Sequence, residues 1–286
     1  MRRLLTIILL SISVATISAQ NTYRIATDSI VRPVASAYSL EYGSSDLRDT
    51  YLTPLNYSGW SVALNYERMQ AMSFAPDDWI MRLDGRLSFA STENPGHTAS
   101  MMSINLRPSW SMLRRFKLDK KFAIAVGGNV GINIGALYLM RNSNNPAAVQ
   151  ASATIGLTAM ATYSHTFGKL PVTLRYQPTM PLTGVFFAPD YDELYYEIWL
   201  GNHNGLCHAA WPGNFFRLDN LLTADLHLGS TILRVGYRCE ISSSKASHIV
   251  SQRIEHSFVL GVSTEWLSLQ PGSRRCDQAR IISSMY

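Results

Sequence analysis

Two histidines and a cysteine fall close together in the segment NHNGLCHAAW: His203, Cys207 and His208. Asn202, Asn204 and Trp211 surround them, and Asp190, Asp192, Glu193 and Glu197 precede them. An imidazole titrates near neutral pH and can serve as acid, base or metal ligand. The spacing of the three matches no standard zinc pattern, so neither a metal nor any other cofactor is assigned. Asn202, His203, Asn204, His208 and Trp211 form a candidate loop site for modifying a lipid or glycan. The competing role is mechanical, because a long ordered loop needs hydrogen-bond partners of its own.

Hydrolysis of a lipid ester calls for a nucleophile and a base on one surface. A serine and a histidine two apart on a strand would share a face. His165 is followed by Thr166-Phe167, His208 by Ala209-Ala210 and His227 by Leu228-Gly229. His256 and Ser257 are adjacent, which turns them to opposite faces. No catalytic residue is therefore assigned, although a nucleophile and base drawn from separate strands stay open.

The third chemical pattern is charge at every second position. In TILRVGYRCEI, Leu233, Val235, Tyr237 and Ile241 alternate with Arg234, Arg238 and Glu240. Residues 79–89 set Trp79, Met81, Leu83, Leu87 and Phe89 against Arg82, Asp84 and Arg86. The same alternation puts Glu67, Arg107, Arg175, Asp225 and Glu265 opposite apolar neighbours. These eleven charges are expected to meet and pair, because an isolated buried charge is costly.

Such alternation requires strands, with a period of two. It recurs at 60–68, 79–89, 102–112, 172–177, 222–228, 231–241 and 258–266, and more weakly at 34–43 and 149–167. Segment 122–138 is nearly long enough for a membrane helix. Its Gly and Asn residues occupy one parity and its β-branched residues the other, which favours a strand. About ten strands result, with twelve as the alternative, many near the ~9–11 residues that cross a bilayer obliquely. Gly168-Lys169 and Gly229-Ser230 read as short turns, whereas 92–99, 141–148, 181–217 and 243–253 read as long loops. Short turns on one side and long loops on the other describe an outer-membrane barrel. The fold class is thus all-β, a closed antiparallel transmembrane barrel. Its apolar faces meet lipid and its charges fill a lumen that ten strands leave narrow. Aromatic residues near strand ends, such as Trp60, Trp110, Tyr138 and Tyr237, suit the two membrane interfaces.

Bulk properties agree. Charged residues make up 16% of the chain, against about 25% in soluble domains. The net charge of +5 is too mild to imply nucleic acid. MRRLLTIILLSISVATISA has the basic start, apolar core and small-residue end of a secretory signal, with cleavage expected after Ala19. The resulting division is a signal peptide at 1–19, a short extension at 20–33, the barrel at 34–267 and a tail at 268–286. Cys207, Cys239 and Cys276 form no disulfide framework.

From Tyr195 onward, YYEIWLGNHNGLCHAAWPGNFFRLDNLLTADLHLG, LRVGYRCEI and HSFVLGVSTEWLSL resemble a family of exported Bacteroidetes proteins known as a domain of unknown function. The resemblance implies an outer-membrane barrel of a Gram-negative bacterium and transfers no activity and no site residues. The expected role is structural, envelope-stabilising or surface-binding. The partners would be outer-membrane lipids and a surface glycan or protein. A lipid- or glycan-modifying enzyme using the 188–215 loop and a narrow channel are the alternatives.

Overall fold

The computed structural model describes residues 30–119, 121–142, 145–189, 195–201, 205–228, 231–266 and 280–284. Residues 1–29, with the expected signal peptide and most of the expected extension, lie outside them. Among the described residues, ten antiparallel strands close into one barrel. They are β1 (Val34–Asp49), β2 (Thr53–Ala71), β3 (Trp79–Glu93), β4 (Ser100–Lys117), β5 (Phe122–Leu139), β6 (Ala147–Phe167), β7 (Leu170–Phe187), β8 (Phe215–Leu228), β9 (Thr231–Ala246) and β10 (Ile249–Trp266). Each pairs with its neighbours in the sequence, and β10 pairs with β1 from Trp266↔Val34 to Ser251↔Asp49 to complete the ring. Closure leaves no open sheet edge in the ring.

Segment 122–138 is a strand, paired with β6 along its length. Asparagine and glycine on the inward parity explain why it does not become an apolar helix. Gly127 also permits a close approach. A Cβ there would sit 1.8 Å from the Met112 carbonyl oxygen, so only glycine fits where β4 and β5 come this close.

The outer surface is apolar in a band. On β1, Tyr38, Leu40 and Tyr42 are exposed, and the outward positions beyond them are Ser44, Asp46 and Arg48. On β2 the band runs through Trp60, Val62, Leu64 and Tyr66. Tyr38 meets Tyr66 with ring centroids 5.1 Å apart, and Trp60 meets Phe89 at 5.7 Å. No described helix is long and apolar enough to cross a membrane.

The connections differ from the lengths read in the sequence. Strands of 14 to 21 residues run well past the ~9–11 needed to cross lipid. They absorb residues expected in loops. The loop expected at 243–253 is a two-residue turn, Ser247-His248, with both φ angles positive. The first connection, expected between 43 and 60, shrinks to 50–52. Polar residues had suggested loop, yet strand pairing satisfies their backbone wherever both neighbours also extend. The connection 188–214 stays long. It carries helix α1 (Tyr195–Trp199) and a short strand, Cys207–Ala210, that pairs with the end of β7. There β7 has already parted from β8, whose pairing with it spans Val172 to Thr179.

Residues Ile282–Ser284, expected in a free tail, return to the barrel. Ile282 and Ser284 are buried, and the Ser283 carbonyl accepts from Arg115 Nη1 at 2.9 Å. A separate small unit pairs Ile30–Val31 with Arg280–Ile281 in parallel.

Candidate functional site

The lumen is filled in layers. At the end that carries the short turns, Ala35, Met69, Ile80, Leu113, Ala125 and Met160 pack as an apolar plug. All six sit at inward positions of β1 to β6, so the plug follows from strand parity alone.

Above it lies a balanced ionic layer. Arg234 donates to Asp225 through two nitrogens, Nε at 2.8 Å and Nη2 at 3.0 Å. Glu67 accepts from Arg175 Nη1 at 2.8 Å and lies 3.4 Å from Arg234 Nη1. Arg82 Nε donates to Asp84 at 2.7 Å. Three guanidinium groups thus face three carboxylates.

A second ionic layer follows toward the loop end. Arg86 reaches three carboxylates: Glu41 at 2.8 Å, Glu255 at 3.0 Å and Glu240 at 3.3 Å. Arg107 donates to Glu240 through both terminal nitrogens. Arg238 bridges Glu41 at 2.6 Å and Asp219 at 2.8 Å. Arg253 meets Glu255 at 3.1 Å and also donates to Ser103 Oγ and Gln150 Oε1. These groups are nearly all buried, where hydrogen-bonded pairing is the condition for keeping a charge. Arg217 belongs to this layer by parity and position, but among the described residues no carboxylate lies within ion-pairing distance of it. Its described contact is with the Phe215 ring, 5.7 Å away.

Ten of the eleven charges expected from the sequence therefore lie in these two layers. Glu265 does not. It sits at the turn end and accepts a hydrogen bond from the Ser283 hydroxyl. Glu41, Asp219, Arg253, Glu255 and Arg217 complete the layers and were not anticipated. Glu41 sits on the weakly alternating 34–43 stretch. Arg253 and Glu255 share the parity of Gly261 and Ser263, but Arg253 fell in the expected loop 243–253 and Glu255 between that loop and the strand expected from Phe258.

Among the described residues, the layers border two cavities of about 100 Å³ each. One lies inside the lumen, bordered by Asn65, Asp84, Asn129 and Gln177. The other is a chamber at the loop end. Arg107, Arg217 and Arg253 line it toward the lumen, Ser242, Ser244, Ser251, Asn105 and Gln150 along its walls, and Tyr51, Tyr195 and Phe187 toward the loop. Arg107 and Arg217 border both cavities.

The loop candidates divide. Asn202, His203 and Asn204 lie outside the described residues. His208 Nε2 donates to the Ala188 carbonyl at 3.0 Å, and its ring packs on Phe186 at 5.4 Å. That is a fastening, joining the two ends of the long connection. Trp211 is 60% exposed. Its ring lies over Gly213, where a Cβ would come within 2.0 Å of it. Cys207 is exposed and unbonded. Among the described residues, no group of three His, Cys, Asp or Glu side chains could hold a metal ion.

At the turn end, three strands do bring hydroxyls to an imidazole. Thr173 Oγ1 lies 3.1 Å from His227 Nε2 and 3.3 Å from Ser164 Oγ. They border an open hollow of about 510 Å³ with Lys121 and His165.

Among solved structures, the chain is similar to the outer membrane protease OmpT from Escherichia coli. The identity is 6% and the TM-score 0.46, covering 84% of this chain and all of that one. It is also similar to the β domain of the Bordetella autotransporter BrkA, at 10% identity and TM-score 0.40, covering 82% and 100%. A third is the translocator domain of the autotransporter NalP from Neisseria meningitidis, at 7% and 0.36, covering 89% and 92%. No curated protein sequence matches the chain significantly. A family model does match, over residues 3–273: the chain belongs to DUF3316, a family described as protein of unknown function.

Proposed function

We propose that this barrel sits in the outer membrane of a Gram-negative bacterium and binds a ligand at its loop end rather than conducting solutes. The Bacteroidetes resemblance is the ground for the narrower placement in that phylum, and the N-terminal pattern for cleavage near Ala19. Outer-membrane lipids would contact the apolar band. The observation that carries the reading is the layered lumen. An apolar plug and two ionic layers lie in series below a chamber that stays open. Water and ions would have to displace all three, and the ion pairs alone resist because separating them leaves buried charges uncompensated.

The test is conductance. Purified protein reconstituted in planar bilayers should show no steady ohmic current above the bare-membrane leak. Reproducible single-channel steps that disappear on heat denaturation would overturn the reading in favour of a channel.

A second reading, an enzyme acting on lipid or glycan, has one observation behind it: the Ser164–Thr173–His227 chain. If it is correct, Ser164→Ala or Thr173→Val should change the envelope lipid profile by mass spectrometry as deletion of the gene does. Profiles identical among wild type, deletion and variants would remove it.

A further inference from the structure

The ionic layer beneath the loop-end chamber carries a charge that its own carboxylates do not balance. In the upper ionic layer, Arg86, Arg107, Arg217, Arg238 and Arg253 face Glu41, Asp219, Glu240 and Glu255, which leaves one guanidinium over. The ion-pair geometry locates the surplus. Arg86, Arg107, Arg238 and Arg253 each hold a carboxylate within 3.3 Å, and Arg217 holds none among the described residues. The lower layer, with three groups of each sign, offers no compensation. A guanidinium with five donors and one ring contact is an unfilled binding element, because its planar fork matches an oxyanion in two-point contact.

The rest of the chamber narrows the ligand. Its walls present serine hydroxyls at 242, 244 and 251, and these can donate or accept. Tyr51 and Tyr195 stand toward the loop, edge to face with centroids 5.9 Å apart, and offer flat apolar surface beside polar tips. The volume of about 100 Å³ is far above the ~10–15 Å³ that one water needs. Hydroxyl-rich walls, an aromatic flank and one unpaired arginine describe a site for a small hydroxylated molecule with one acidic group.

We infer that the loop-end chamber binds an acidic sugar unit, with Arg217 taking its phosphate or carboxylate. This deepens the binding role proposed above and rests on it. The acid enters toward Arg217 and the hydroxyls meet the serines. Asp49, a carboxylate also lining the chamber, lies at its loop side and disfavours an acid bound the other way round.

Isothermal titration on the detergent-solubilised full chain tests this with four probes: glucuronate, glucose 1-phosphate, glucose and inorganic phosphate. Glucuronate or glucose 1-phosphate should bind at least tenfold more tightly than glucose, and the preference should shrink as salt rises. The better of the two acids tells whether the native ligand is a sugar acid or a sugar phosphate. Inorganic phosphate should bind more weakly than the preferred sugar, since it leaves the serines and tyrosines unused. Arg217→Gln should remove the preference for acid over neutral sugar. Arg217→Lys, which keeps the charge and loses the fork, should weaken it by a smaller factor. Equal affinity for glucose and both acids, no binding of any probe by a folded, non-conducting barrel, or an Arg217→Gln variant that binds like wild type would overturn the inference. If the glutamine variant does not fold, the wild-type order of probes with its salt dependence decides. Channel conductance, by contrast, would refute the binding reading itself.

Discussion

Among single residues, Asp49 has the clearest link between placement and a measurable property. It ends β1 beyond the apolar band, is 4% exposed, and accepts from the Tyr51 amide at 3.1 Å. Burial is the largest influence on its carboxyl and pushes the pKa up from 3.8 to about 6, against the hydrogen bonds from Ser251, Tyr51 and Leu52. The folded state then holds the proton more tightly than the unfolded one. Asp49 favours folding fully below about pH 3.8, and this contribution is lost as pH rises through about 6. The span corresponds to roughly 3 kcal/mol at most. Asp49→Asn keeps an acceptor for Tyr51 and cannot ionise. Urea titrations at pH 7.5 should show the variant more stable than wild type, with the gap closing toward pH 4.5. A gap independent of pH would mean that the buried charge is not its cause.

The ionic layers make a different demand. Arg234→Met strands Asp225 and weakens the hold on Glu67, at a cost of about 3–5 kcal/mol. Arg234→Met with Asp225→Leu should cost less than Arg234→Met alone, because no unpaired carboxylate is left beside the vacancy and Glu67 keeps Arg175. Strict additivity of the two single losses would show that the pair is not coupled.

At the level of elements, alternation carried most of the information. Wherever one parity was apolar and the other polar, as at 79–89 and 231–241, a strand is present with those faces. The ends of the strands were not legible. Beyond the apolar band, outward residues turn polar, as at Ser44, Asp46 and Arg48, and alternation fades although pairing continues. For that reason 243–253 resembled a loop, and Arg253 and Glu255 were missed. Ser247 and His248 form the turn with positive φ despite lacking the usual Asn-Gly signal.

Glycine offers a sharper test of the elements. Gly127 and Gly128 are adjacent in β5, yet a Cβ on Gly127 would strike the Met112 carbonyl oxygen while one on Gly128 would meet nothing within 4 Å. Gly127→Ala should therefore destabilise the barrel by about 1–3 kcal/mol and lower the yield of heat-modifiable protein. Gly128→Ala should be neutral or slightly stabilising, since it restricts the unfolded chain. Equal effects would mean that β4 and β5 do not approach as closely there.

Across the whole molecule, the remaining question is which end faces outward. Loop length was the sequence argument, and the structure thins it. The connections at the turn end are 72–78, 118–121, 168–169 and 229–230. Those at the other end are 50–52, 94–99, 140–146, 188–214 and 247–248. A single long connection now carries the asymmetry. It is still informative, because periplasmic turns in such barrels are short and extracellular loops bear the insertions. The same end holds the open chamber, whereas the other is closed by the plug, by Arg115 and by the returning residues 282–284. A ligand arriving from outside the cell would need this orientation. Cys207 offers a native reporter, being exposed within the long connection. In a Cys239→Ser, Cys276→Ser background, a membrane-impermeant maleimide added to intact cells should label Cys207 as fully as it does after the outer membrane is permeabilised. Labelling that appears only after permeabilisation would place the chamber on the periplasmic side. The acidic sugar would then have to come from within the envelope rather than from the medium.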